Sequence, residues 1–159
     1  MADLEFNKDL IFFDVEADSN LDALDQVAHK LFDLGYVKES YIEAVKEREK
    51  VFATGLPVED FAVAVPHTDV EHVNKQSICV ATLKKPVTFE VMAGAGEKCE
   101  VSILFMLALK EPHQQLAMLQ TVISLIQQED KLKSIYESKD KELIMKIVQD
   151  ELAKQVEEA

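Results

Sequence analysis

Four histidines, two cysteines and one arginine carry most of the chemistry available to this chain of 159 residues. His67 stands in Ala64-Val65-Pro66-His67-Thr68, directly behind an apolar run. A neutral imidazole is a competent nucleophile near pH 7, because its unperturbed pKa is about 6.5. The end of a rigid strand is where sites are usually built, and Pro66 restricts the backbone that aims the ring. On position alone, a surface histidine at a strand end stands beside that reading. His113 follows Pro112 at the expected start of a helix. Free amides and the positive end of the helix dipole gather there, which favours anions. If the strands before His67 and His113 are neighbours, the two imidazoles converge.

Arg48 is the only arginine among seventeen basic residues. A guanidinium grips phosphate in a two-pronged way, and an ion pair with a neighbouring glutamate is the plain alternative. His29 falls inside an amphipathic helical pattern and reads as a surface or half-buried helix histidine, and His72, inside a polar segment, as a solvated loop histidine. Cys79 and Cys99 form no Cys-x-x-Cys pair and read as reduced, buried residues. A metal site built from His67, His113 and acidic residues stays open. The glycine-rich loops of nucleotide and dinucleotide sites, the His-Glu-x-x-His pair and the Gly-x-Ser-x-Gly elbow are absent from the sequence.

The elements that must position these residues follow from periodicity. Residues 9–15 predict a short strand. Leu21, Leu24, Val27, Ala28, Leu31 and Leu34 predict a helix, capped by Ser19 or Asn20 and ended by Gly35. Ser40 to Glu43 has capping-box spacing, which predicts a second helix with Ile42 and Val45 inward and Glu43, Lys46, Glu47 and Glu49 outward. Thr54 to Pro57 reads as a loop and residues 61–65 as a buried strand. Residues 77–83 and 87–91 predict two strands paired antiparallel across Lys84-Lys85-Pro86. Ala93 to Gly96 is a turn, and residues 99–107 a central strand. Three helices follow, from Pro112, Glu129 and Asp140. The fold class is α/β, with a mixed, largely antiparallel sheet flanked by helices. Residues 1–159 read as one domain.

The formal net charge is −13, from thirty acidic against seventeen basic residues. Such a surface repels nucleic acid and anionic membranes. No apolar stretch approaches the ~20 residues of a membrane span, and Met-Ala-Asp-Leu-Glu-Phe, with no basic segment leading into an apolar run, predicts no secretory signal. The cytoplasm is the expected compartment.

Arg48-Glu49, then Thr54-Gly55, then the apolar run into Ala64-Val65-Pro66-His67, resembles the IIA component of the sugar phosphotransferase system, in its fructose/mannitol class (type 2). The stretch 101–109 followed by Glu111-Pro112-His113 matches where many members place a second histidine. The likeness covers roughly residues 10–148. Thr68 stands where many members have glycine, and this departure and the segment before Thr54 are closer to the galactitol-type branch. That branch often lacks a histidine at the position of His113.

The resemblance implies a phosphocarrier that takes a phosphoryl group from HPr onto His67. It then passes the group to a cysteine of a IIB partner that works with a membrane IIC. His113 and Arg48 match the residues that surround the phosphoryl group, and Thr54 adds a weaker contact. Neither cofactor nor metal is needed. Leu56, Val58, Phe61 and Val70 are candidates for the docking face. The alternatives are a regulatory protein of the nitrogen-type branch and a binding domain that keeps only the fold.

Overall fold

Alternation along one strand decides the layers. Leu104, Met106 and Ala108 belong to one hydrophobic core, and Ile103, Phe105 and Leu107 to another. This is the period-two pattern of a strand buried on both faces. The structure, a computed structural model, describes residues 4–58 and 61–158. Its strands are β1 (Ile11–Val15), β2 (Gly55–Pro57), β3 (Ala62–Ala64), β4 (Ser77–Glu90) and β5 (Lys98–Ala108). They form one sheet in the order β1-β4-β5-β3-β2, so the apolar run read as a central strand is central. β1 with β4 and β3 with β5 are parallel; β4 with β5 and β2 with β3 are antiparallel. The sheet is mixed as expected, and the long β4–β5 ladder gives it its antiparallel character.

Helices α1 (Asn20–Asp33) and α2 (Glu39–Val51) cover one face. Leu24, Val27, Leu31, Tyr41 and Val45 reach the core there. Helices α3 (Pro112–Ile126), α4 (Glu129–Glu137) and α5 (Lys141–Glu158) cover the other. Met118, Val122, Leu132, Ile135, Ile144 and Val148 fill that side. Each such buried side chain contributes on the order of 1.5–3 kcal/mol. Ser19 caps α1 by accepting the amide of Asp22, and Gly35 closes it at φ +87°.

Five expectations change. The segments 77–83 and 87–91 are one strand, β4, and its antiparallel partner is β5. Lys84, Lys85 and Pro86 are exposed at a bulge between Thr82 and Val87, where a proline is tolerated because the ladder is already broken. The Thr54 to Pro57 loop contains β2, which pairs with β3. The capping box of α2 does not form. Lys38 is the N-cap, and the Ser40 hydroxyl instead lies 2.8 Å from Nδ1 of His72. His72 is partly buried rather than solvated. Of the two free cysteines, Cys79 is buried and Cys99 only half-buried.

Gly55 is where β2 meets the end of the β4–β5 hairpin. A Cβ there would sit 2.6 Å from the Glu90 carbonyl oxygen and 2.8 Å from Cys99 Sγ. The absent side chain lets the Met92 amide donate to the Gly55 carbonyl at 2.8 Å.

Candidate functional site

His67 stands three residues beyond the end of β3, held where the Leu107 amide donates to the Pro66 carbonyl. Its Nδ1 lies 2.8 Å from the carbonyl oxygen of Val65. A carbonyl only accepts, so Nδ1 carries the proton and donates. In the neutral ring that leaves the lone pair on Nε2. Burial pushes the His67 pKa below its usual value, and the nearby Arg48 cation adds to this. The Val65 bond and Asp69 oppose the shift without reversing it. The ring is therefore kept neutral and of one tautomer, the state a nitrogen nucleophile requires.

A cleft of about 500 Å³ opens beside His67. One wall comes from the C-terminal end of α2 and the loop after it, with Arg48, Val51, Phe52 and Thr54. The hairpin between β4 and β5 closes the far side, and Leu119 of α3 contributes to the lining. Ala93 and Ala95 both adopt left-handed backbone in that hairpin, at φ +55° and +50°. This strain is held by the hairpin bonds Val91 amide to Glu97 carbonyl and Glu97 amide to Gly94 carbonyl.

Arg48 enters from the last turn of α2. Its guanidinium carbon lies 5.1 Å from the centre of the Phe52 ring, and one terminal nitrogen is 3.6 Å from the Asp69 carboxylate. Its Nε is buried with no hydrogen-bond partner among the described residues. A buried donor left unused costs free energy unless an acceptor arrives. The arrangement suits a tetrahedral oxyanion bound between Arg48 and Nε2 of His67.

Thr54 lines the same cleft, but both its donors are engaged. Its amide and its hydroxyl donate to the two oxygens of Glu49, at 2.8 and 2.7 Å. Glu49 is thus buried, at 4% exposure, against the outward orientation expected from its position on α2. The chain after α2 folds back over that last turn and covers it. Burial raises the Glu49 pKa, the two Thr54 bonds work the other way, and Glu90 adds to the rise. Thr54 also accepts from the Val65 amide at 3.3 Å, which links the clasp to the strand that carries His67. The adjacency of Glu49 to Arg48 and the spacing to Thr54 were the available sequence signal for this clasp.

His113 lies in the first turn of α3, exposed, and is not among the residues lining the cleft. The structure brings together Arg48, Thr54 and His67 and leaves His113 outside that lining. Among the described residues there is no cluster of three or more His, Cys, Asp or Glu side chains able to hold a metal ion. No helix among them is long and apolar enough to cross a membrane.

The apolar surface at the cleft differs from the expected docking residues. Leu56 and Val58 pack against the second core, and Phe61 meets Tyr136 edge-on at 5.6 Å. Val70 sits half-buried in a single 3-10 turn, Val70–His72. The large apolar side chains most open to solvent are instead Val51 (72%), Phe52 (60%) and Leu116 (58%). The first two line the cleft, and Leu116 stands three residues before Leu119 on α3, on the same face.

Comparison with known proteins places this geometry in context. A 105-residue stretch, 66% of the chain, is 34% identical to part of the transcriptional regulator ManR of Bacillus subtilis, spanning only 15% of that protein. The galactitol-specific EIIA component of the phosphotransferase system of Escherichia coli K12 is 27% identical over 132 residues, which is 81% of this chain and 87% of the relative. The fold matches enzyme IIA of the mannitol system of Escherichia coli, solved in complex with phosphorylated enzyme IIB. The TM-score is 0.74 at 18% identity, covering 92% of this chain and 99% of that one. Residues 5–151 match the family model of the phosphoenolpyruvate-dependent sugar phosphotransferase system, EIIA 2, and the chain belongs to that family.

Proposed function

We propose that the chain is a phosphocarrier, accepting a phosphoryl group on Nε2 of His67 and passing it to a cysteine of a IIB component. The observation that carries this reading is the fixed tautomer of His67 beside Arg48 in one cleft. HPr, with its phosphohistidine, is the donor this reading assigns, and a sugar or sugar alcohol taken up through a membrane IIC is the end acceptor. The galactitol-specific relative supports the sugar-alcohol branch. The chain then acts as one cytoplasmic domain.

The reaction is an in-line displacement. The Nε2 lone pair attacks phosphorus, the bond from phosphorus to the donor nitrogen breaks, and its electron pair returns to the donor imidazole. Arg48 offsets charge on the equatorial oxygens as they pass between the two rings. Phosphorylation makes His67 a cationic imidazolium if Nδ1 keeps its proton, and the Val65 carbonyl accepts from that proton. The bond that sets the tautomer also steadies the product. In this scheme His113 and Thr54 act differently. Exposed His113 meets the phosphoryl group only when a partner or a shift of α3 brings it in, whereas Thr54 shapes the cleft through Glu49.

Labelling with phosphorylated HPr tests the reading. Wild-type protein becomes labelled and His67→Ala does not; label that survives the substitution overturns the role of His67. A regulatory use of the same site is favoured by the 34% match to a segment of a transcriptional regulator. Transfer of label to a IIB cysteine decides for the carrier, and its absence for the regulator.

A further inference from the structure

Asp69 is the carboxylate paired with Arg48, the cation of the proposed phosphoryl site. It is the N-cap of the 3-10 turn Val70–His72, a place where an aspartate ordinarily accepts an amide of the turn. Here the side chain makes no cap bond. It faces Arg48 instead, at 3.6 Å, too long for a tight hydrogen bond. Arg48 is one-third exposed and Asp69 two-thirds, so the pair is wet and weak. It is loose enough to open when a better anion arrives.

Resting on the reading of His67 as the phosphoryl acceptor, we propose that Asp69 is a positioning residue that raises the transfer potential of the phosphohistidine. It does so in two ways. It competes with the phosphoryl oxygens for Arg48, and its carboxylate repels the two negative charges the phosphoryl group brings, which outweigh the single positive charge on the ring. Both effects destabilise the phosphorylated form relative to the free one. A carrier needs that, because a phosphoryl group held too firmly is not handed on. The buried Nε of Arg48, without a hydrogen-bond partner among the described residues, remains for the phosphoryl group whichever way the terminal nitrogens turn. No atoms beyond those of the transfer are involved: the N–P bond formed on Nε2 is the one later broken, with its electron pair returning to that nitrogen.

The test uses phosphoramidate, a small donor that needs no docking face. Wild type and Asp69→Asn are labelled, freed of donor, and followed for loss of label and for equilibrium with HPr. The expected result is a phosphorylated form that lives about fivefold longer in Asp69→Asn. Its equilibrium with HPr shifts toward this chain by a similar factor, and its delivery to IIB is slower. Asp69→Glu should restore wild-type behaviour. A merely structural role would lower labelling or shorten the lifetime, and equal or shorter lifetimes overturn the inference while leaving His67 as acceptor. If wild type takes no label on His67, the functional reading falls and this inference with it.

Discussion

Nδ1 of His67 donates to the carbonyl of Val65, two residues earlier, at 2.8 Å. The partner is main chain, so no side-chain substitution removes it while β3 stands. The phosphoryl group is therefore expected on Nε2. Nitrogen and phosphorus NMR of the labelled protein distinguishes the two ring positions, and a signal from Nδ1-phosphohistidine would contradict the geometry.

The pH dependence follows from the same ring. Its pKa lies below the usual value of about 6.5, so the neutral nucleophile persists to lower pH than in a free histidine. Acceptance from phosphoramidate should be flat through neutrality and fall only in acid, after allowance for the donor's own titration. The folded state binds fewer protons here than the unfolded one. The contribution of His67 to stability is present above pH ~6.5 and is lost as pH falls below it. A kinetic midpoint above 7 would show that the ring is not shielded as described.

Arg48→Ala should lower the rate of phosphoryl acceptance on the order of 100-fold while His67 remains the site of label. Arg48→Lys should recover only part, since an ammonium lacks the planar fork. Single-turnover labelling measures both, and a change below about threefold in the alanine variant would remove Arg48 from the transfer step.

Glu49→Ala leaves the Thr54 amide and hydroxyl without acceptors in a buried place. The expected loss is about 2–3 kcal/mol, with a melting temperature roughly 5–10 °C lower. Glu49→Gln keeps one acceptor oxygen and should lie between. Thermal melts of the three proteins check this, and unchanged melting in Glu49→Ala would mean that the clasp contributes nothing to the fold.

Val51→Ser and Leu116→Ser test the apolar rim without touching Phe52, whose ring lies against Arg48. The pair should raise the KM for phosphorylated HPr about tenfold and leave labelling by phosphoramidate unaltered. Equal effects on both donors would place the damage in the cleft rather than in docking. Because the chain carries −13, transfer from HPr should also slow with added salt while the phosphoramidate reaction does not.

Much of the architecture is visible in sequence periodicity, and the exceptions share a cause. The stripes of α1, α3, α4 and α5 and the double-faced run of β5 announce themselves because each buries its own pattern. Glu49 is misread because its burial comes from the chain beyond it, not from its own helix. Pro86 resembles a break between strands because a bulge and a turn share the same local signs. β2 is three residues long, too short for periodicity, and is made by its neighbours. For the site, Arg48, Thr54 and His67 stand at the ends of recognisable elements and can be picked out. Beyond Glu90, the far wall, residues 91–96, offers only small and apolar side chains and carries no chemical signature.

The parallel pairing of β3 with β5 has a consequence for the life of the chain before it is finished. β3 is only three residues long and depends on a strand made much later in synthesis. Until β5 is in place, the Leu107 amide cannot hold Pro66 and the hairpin wall does not exist. A nascent chain on the ribosome, or a degraded fragment ending before that strand, thus presents His67 as an ordinary imidazole in water. On the proposed role of His67, such pieces should accept no phosphoryl group, because the cleft arrives only with the completed sheet.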